Sequence, residues 1–315
     1  MQVEPRLRAW IENVALPGRT VVDAHSLTGG YSNDNRLITT ADGGRFVLRR
    51  YLGGNACAVE AALAARLAGI VPVPEVIAAD PDGSGASRGA DVGEPVLLSV
   101  FAPGRPLGDA LAAATGPEAA ELGRETGRVL AAIGSVEFAA PGFFSDASLE
   151  PGPPGMEPTS GVDAFVERCL KEGNAAGHLA DDEQRALLRF ATEAAPDLAV
   201  LHGSRRLVHA DFNPKNLLAV RSDGRWRLSA VLDWEFAFSS SPLFDVGNML
   251  RDPRPAGFGE AFVDGFRAGG GDLPDDWRRL SQALDLYSLA DLLKRPADHR
   301  YFRRAVQRIR ALIAT

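Results

Sequence analysis

Cysteine occurs twice in this 315-residue chain, at Cys57 and Cys169, and lysine three times, at Lys171, Lys215 and Lys294. Two thiols are too few for a disulfide scaffold or a zinc site, which makes a reducing, cytoplasmic setting the expectation. No apolar run approaches the ~20 residues that a membrane-spanning helix needs, so no membrane association is expected. The N-terminal stretch MQVEPRLRAWIENV is amphipathic and does not read as a signal sequence. A net charge of −7 argues against bulk binding of nucleic acid. What is present is an ordinary globular composition, 45% hydrophobic and 24% charged, with ample material for a core. The length suits one large two-lobed domain or two modest ones, as a monomer or homodimer. No internal repeat is visible.

The charge is unevenly placed. Residues 1–100 carry a net −2, residues 101–204 a net −9, and residues 205–315 a net +4. With so little lysine, arginine does nearly all the cationic work.

The pattern of elements is mixed. A short helix follows Pro5. Strands are expected near 20–28 and 34–40, then RFVLRRYL after the ADGG turn. An Ala-rich helix near 55–68 ends at Gly69. A proline-punctuated strand in VPVPEVIAAD and a buried strand PVLLSVFA complete the order β-β-β-α-β-β. The break at Pro103-Gly104 marks a boundary between an N-terminal part, 1–102, and a C-terminal part, 103–315. A helical insert of about 104–206 opens the second, interrupted by a Gly/Pro-rich loop. A short strand at 206–208, a polar stretch, a hairpin turning at SDG, and helices near 244–250, 258–268, 275–293 and 297–313 follow.

The polar stretch is VHADFNPKNLL, Val208 to Leu218. It interrupts apolar sequence with His209, Asp211, Asn213, Lys215 and Asn216, and reads as a loop at the mouth of a sheet, where function is commonly carried. The hairpin that follows brings VLDWE back antiparallel, which sets Asp233 beside Asn216. Asp211, Asn216 and Asp233 then offer two carboxylates and an amide oxygen, a donor set suited to Mg²⁺. Trp234 reads as packing. Asp181, Asp182 and Glu183 read as a cluster at a helix start, favoured by its dipole.

H-x-D-x4-N followed by a hairpin and DWE resembles the aminoglycoside phosphotransferase family, relatives of protein kinases and choline kinases, over nearly the whole chain. The resemblance implies an α+β, bilobal protein-kinase-like fold, with a five-stranded antiparallel sheet plus helix and a larger, mostly helical C-terminal lobe. It implies ATP or GTP as phosphate donor with Mg²⁺, and a small hydroxylated acceptor. LTGGYSNDNRL resembles the glycine-rich nucleotide loop, which would place Gly29, Gly30 and Ser32 at the nucleotide. FVLRRY places Arg49 as the phosphate-binding cation, strand alternation putting Arg50 on the other face, and Glu60 as the helix acid that pairs with it. LLSVFAPGRPL resembles the hinge that holds adenine through backbone groups, with Ser99 and Phe101. Asp211 would accept the acceptor hydroxyl's proton, Asn216 and Asp233 would hold Mg²⁺, and His209 would brace the loop. Asp245 in SPLFDVGNML would steady it. Glu235 is a second acid by the metal or the substrate. Lys215 either reaches the γ-phosphate or is a solvated loop lysine.

Two departures stand out. The family usually has lysine where Arg49 stands, although arginine occurs in choline-kinase-like branches; Arg49 can clamp phosphate bidentately. The family usually has glycine between the histidine and aspartate; here it is Ala210, whose Cβ sets an expectation of negative φ.

The expected activity is an O-phosphotransferase moving the γ-phosphate to a hydroxyl of a small molecule. The acidic middle third favours a cationic antibiotic as in resistance kinases, unless its acids are merely solvated helix faces. A metabolite kinase acting on a sugar, choline-like or nucleoside acceptor is the alternative. A protein kinase is disfavoured by the absence of DFG and APE. A non-catalytic pseudokinase is disfavoured by the presence of Asp211, Asn216 and Asp233.

Overall fold

The computed structural model describes residues 3–27, 33–84 and 92–314. The chain begins with α1 (Pro5–Trp10), which continues as a single π-helical turn, Ile11–Ala15. Strands β1 (Val21–Ser26), β2 (Asn33–Thr40) and β3 (Arg45–Tyr51) follow, then α2 (Cys57–Leu67), β4 (Val76–Asp80) and β5 (Val96–Val100). Next come β6 (Arg105–Pro106), α3 (Leu107–Ala112), α4 (Gly116–Gly134), β7 (Gly142–Phe143), α5 (Val162–Glu172) and α6 (Asp181–Ala194). The remainder comprises β8 (Arg206–Val208), β9 (Leu217–Ser222), β10 (Arg225–Val231), β11 (Phe238–Ser240), α7 (Leu243–Leu250), α8 (Phe258–Ala268), α9 (Trp277–Asp291) and α10 (Arg300–Ile313).

The chain divides into two compact units. One holds Met1–Ala110, Phe144–Glu150 and Lys215–Phe236; the other holds Leu111–Phe143, Pro151–Pro214 and Ala237–Thr315. The hairpin of β9 and β10 thus belongs with the N-terminal strands.

In the first unit, five strands pair antiparallel in the order β1-β2-β3-β5-β4. This is the expected β-β-β-α-β-β arrangement. Central β3 alternates buried and half-buried residues, with Phe46 and Leu48 facing the core. That core joins Leu7, Trp10 and Ile11 of the N-terminal helix to Ile38, Leu48, Val96 and Leu98 of the sheet, which explains why an amphipathic segment opens the chain. Arg49 and Arg50 are adjacent on the same strand and so leave it on opposite faces. A second small sheet, β10-β9-β6, carries the hairpin.

The second unit is mainly helical, with a three-stranded sheet ordered β7-β11-β8. Helices α4 and α8 approach backbone to backbone. A Cβ added at Gly127 would lie 2.0 Å from the Phe262 carbonyl oxygen, and one at Gly265 would lie 2.1 Å from that of Arg124. Only glycine permits this contact, and it exposes backbone rather than side chains to the partner helix.

Candidate active site

The second unit carries the stretch His209–Pro214. Strand β8 ends at Val208 and the fully buried His209 follows. The backbone N–H groups of His209 and Ala210 donate to Oδ2 and Oδ1 of Asp245, at 2.7 and 2.9 Å. Asp245 sits in the first turn of α7 and is itself fully buried. Burial pushes its carboxyl up to about 7, the two N–H groups pull the other way, and the charge of Asp211 adds to the rise. Nδ1 of His209 accepts from the Asp211 N–H at 3.2 Å. An accepting Nδ1 leaves the ring proton on Nε2, so His209 holds the loop's shape from inside it. Asn213 donates through Nδ2 to Oδ1 of Asp211 at 2.6 Å and to its carbonyl at 3.1 Å. The Asp211 carboxylate is therefore held in one orientation. The sequence left Asn213 without a role; its place two residues after an aspartate, before Pro214, is the turn chemistry that could have revealed it.

Ala210 overturns an expectation. Its φ is +68°, in the left-handed region rather than at negative φ. That conformation lets two successive N–H groups point at one carboxylate, and the hydrogen bonds to Asp245 hold it against the cost of the Cβ. Ala210→Gly is expected to stabilise the protein by about 0.5–1 kcal/mol. Relief of the left-handed strain, roughly 1–2 kcal/mol, outweighs about 0.5–1 kcal/mol of added unfolded-chain entropy. Urea unfolding measures it, and a net loss of stability contradicts the assignment of strain.

The first unit carries the charged cluster. Nη2 of Arg49 lies 2.6 Å from Oδ1 of Asp233, 3.2 Å from Oε2 of Glu235 and 3.2 Å from Oε1 of Glu60. Arg50 faces the other way, to Asp34 and Glu94. The three acids each offer an oxygen within 4.8 Å of the others. Burial pushes the Glu60 carboxyl up to about 7; Arg49 opposes this, and Asp233 and Glu235 reinforce it. The Arg49 guanidinium, although burial disfavours its charge, is held firmly protonated by Glu60 and Asp233. Asn33 donates to Oε2 of Glu235 at 2.7 Å, a link between residues 202 positions apart that nothing in the sequence announces. Asp233, at φ +70°, is another left-handed non-glycine residue. It follows the end of β10, where Leu217 pairs with Val231 and the Leu232 N–H donates to the Asn216 carbonyl at 2.8 Å. The hairpin thus places Asp233 one residue beyond the partner of buried Asn216. Trp234 packs inward, its Nε1 donating to the Val231 carbonyl.

Three carboxylates around one guanidinium form a pocket of negative charge in want of cations. The grouped oxygens of Glu60, Asp233 and Glu235 would fit a hard divalent ion such as Mg²⁺.

Other predicted positions fall as follows. Ser99 is buried on β5, opposite Val47 and Val76. The Phe101 N–H already donates to the Arg45 carbonyl at 3.0 Å, with the Arg45 guanidinium 3.9 Å over the Phe101 ring. That amide is committed, so a base at this segment would have to use other backbone groups. Lys215 is exposed. Gly29, Gly30 and Ser32 lie outside the described residues.

Solved structures share this fold. The complex of APH(2")-IIia with GDP and kanamycin superposes with a TM-score of 0.68 at 18% identity, covering 98% of this chain and 97% of that one. A thermostable mutant of aminoglycoside phosphotransferase APH(4)-Ia, with AMP-PNP and hygromycin B, gives 0.67 at 20% identity over 99% and 98%. The macrolide 2'-phosphotransferase MphH of Brachybacterium faecium gives 0.61 at 20% over 93% and 94%. No curated protein sequence matches the chain. The family model described as the phosphotransferase enzyme family matches residues 23–282, which is most of the sequence. The chain belongs to that family, APH.

Proposed function

We propose that the protein moves the γ-phosphate of ATP or GTP to a hydroxyl of a small molecule. The observation that carries this reading is the Asp211 carboxylate held by Asn213 on a loop tied to Asp245. The Arg49–Glu60 ion pair beside Asp233 supports it from the nucleotide side. Asp211 accepts the acceptor's proton as its oxygen bonds to the γ-phosphorus. The bond from that phosphorus to the β-bridging oxygen breaks, and the nucleoside diphosphate leaves. Position and charge neutralisation carry most of such a transfer. Asn216 and Asp233 would hold Mg²⁺, which when bound offsets phosphate charge. Arg49, steered by Glu60, would turn its guanidinium to the phosphates. The similar structures that name ADP, AMP-PNP or GDP support a purine nucleotide donor.

The acceptor is an antibiotic or a hydroxylated metabolite. Hygromycin B, kanamycin and a macrolide are named with similar structures, which makes antibiotics one class to screen. The acidity of residues 101–204 adds less to that choice than its size suggests, because many of these carboxylates already have partners. Glu118 caps α4 at Thr115, Glu137 pairs with Arg206, and Glu157 holds Thr159 and the Gly203 N–H. Glu167 pairs with Lys171, Glu183 with Arg310, and Asp197 with Arg279.

The test is a thermal-shift titration with ATP or GTP plus Mg²⁺, followed by a coupled screen for released diphosphate over hydroxylated compounds. At a nucleotide concentration of about 100 times Kd, stabilisation of about 2.7 kcal/mol is expected. No shift with either nucleotide contradicts the proposal.

A further inference from the structure

The C-terminal end of α7 gathers an excess of arginine. Arg251 caps the helix and forms a two-point pair with Asp285 of α9, Nε at 2.7 Å and Nη2 at 2.5 Å. Arg304 and Arg308, one turn apart on α10, both fasten on Asp252. Arg254 has a different environment. Its Nε and Nη2 donate to one backbone oxygen, the carbonyl of Met249, at 3.0 and 2.7 Å. Among the described residues no carboxylate lies within ion-pair distance of it. Four guanidiniums therefore share two carboxylates, and Arg254 is the one without an acid. Burial pushes it down to about 10; Arg304, Arg251 and Arg308 add to the fall and Asp252 opposes it. A guanidinium pressed by three others is a position where an incoming anion is favoured twice, by attraction and by relief of repulsion.

The geometry suits recognition rather than packing alone. With two of its five N–H donors on Met249, Arg254 keeps three in the fixed fork that matches carboxylate or phosphate oxygens. Prolines 253 and 255 on either side restrict its backbone. Arg304 is 53% exposed and Arg308 27% exposed, so the cluster opens to solvent. Three residues past Arg254, Gly257 precedes the first residue of α8 and gives it no side-chain cap, a helix end that itself favours anions.

The cluster is also tied to the loop that carries Asp211. With the Asn248 amide oriented to suit its neighbours, its nitrogen donates to the Phe212 carbonyl at 3.3 Å and its oxygen accepts from Nη2 of Arg251 at 3.0 Å. Phe212 follows Asp211 directly, so two hydrogen bonds connect the reacting carboxylate's neighbour to the first guanidinium. Asp245, Asn248 and Arg251 stand three residues apart along one face of α7, and bind the loop and the cluster to one rigid element.

We propose that Arg254, with Arg304 and Arg308 beside it, receives an anionic group of the acceptor, a carboxylate or a phosphate or sulfate ester. The inference rests on the phosphotransferase reading of Asp211 and adds a substrate class to it. Aminoglycosides are polyamines, and such an acceptor would meet repulsion here. The acceptor would instead be a hydroxylated acid or a compound already bearing a phosphate or sulfate.

Sulfate is the probe. It is titrated against chloride at constant ionic strength, by calorimetry and thermal shift, with and without saturating AMP-PNP and Mg²⁺. Saturable sulfate binding is expected in both states. Arg254→Gln should weaken it by about tenfold or more, as expected for lost charge-assisted hydrogen bonds, with an unaltered nucleotide-induced shift as proof of folding. Asp252→Asn, which removes a negative charge from the cluster, should tighten it several-fold. Absence of saturable binding above chloride overturns the proposal, as does binding that both substitutions leave unchanged. Turnover of a cationic or neutral acceptor that Arg254→Gln leaves unaltered overturns the assignment to the acceptor. Loss of the nucleotide shift in the wild type, with sulfate binding intact, removes the phosphotransferase reading instead, so the two failures are told apart.

Discussion

Replacement of Asp211 by alanine is expected to lower kcat for phosphoryl transfer by about 10²- to 10⁴-fold, the range for loss of a positioned general base. Nucleotide affinity should stay within about threefold, because the cluster assigned to the nucleotide comprises Arg49, Glu60 and Asp233 and does not draw on Asp211. Stability should hold or rise slightly. Burial chiefly raises the Asp245 carboxyl and the charge of Asp211 adds to it, so its removal relieves that repulsion. The paired control is Asn213→Ala. It leaves the carboxylate in place but removes the 2.6 Å hydrogen bond that orients it. A loss of about tenfold in kcat with little change in KM is expected, on the sensitivity of such transfers to orientation. The two variants together separate the chemical role of the carboxylate from its positioning. An Asp211→Ala protein that retains wild-type kcat refutes the base, whatever Asn213 does.

The contrast between these two residues shows how far the sequence could be read. Asp211 was conspicuous in the sequence because an acid in a fixed pattern with His209, Asn216 and Asp233 has few uses. Asn213 was not, because its function depends on a side chain folding back two residues, which the same letters allow but do not require. The five-stranded sheet was legible through alternation and the ADGG turn; alternation put Arg49 and Arg50 on opposite faces, and the register of FVLRRY in the family resemblance chose Arg49. Strands β6, β7 and β11 are two or three residues long, too short to show any period. Ala210 was misjudged for a related reason. Local sterics favour negative φ for alanine, whereas the buried Asp245 carboxylate, 35 residues away in sequence, imposes +68° through two hydrogen bonds. The commitment of the Phe101 amide to Arg45 and the Asn33–Glu235 link are likewise tertiary facts without local signature.

The charged cluster yields the second large effect, and here two substitutions should act in opposite directions. Arg49→Ala leaves Glu60, Asp233 and Glu235 without their shared guanidinium. Breaking a buried ion pair by removing one partner costs about 3–5 kcal/mol, and this cost is expected in full above neutral pH. Its pH dependence has a definite sign. The folded-state carboxyl of Glu60 is already raised from 4.5 to about 7, and Arg49 is the group that restrains it. A raised carboxyl binds its proton more tightly in the native state than in the unfolded chain, so stability is gained as pH falls through about 7 and is lost as it rises. Without Arg49 this slope steepens, and the deficit should shrink markedly between pH 8 and pH 5. Asp233→Ala removes one of three carboxylates and keeps the cation. Its nucleotide-free stability should change little or rise, while affinity for nucleotide with Mg²⁺ falls by more than about tenfold, since the donor set loses its charged member. Mg²⁺ alone should restore part of the lost stability of Arg49→Ala by supplying the missing positive charge, and should do so less in the double variant with Asp233→Ala. Urea unfolding at pH 5 and 8, with and without Mg²⁺, measures all of these. An Arg49→Ala protein as stable as wild type at pH 8 contradicts the cluster. An Asp233→Ala protein with unchanged magnesium–nucleotide affinity contradicts the assignment of the metal to Asp233 while leaving the Arg49–Glu60 pair intact.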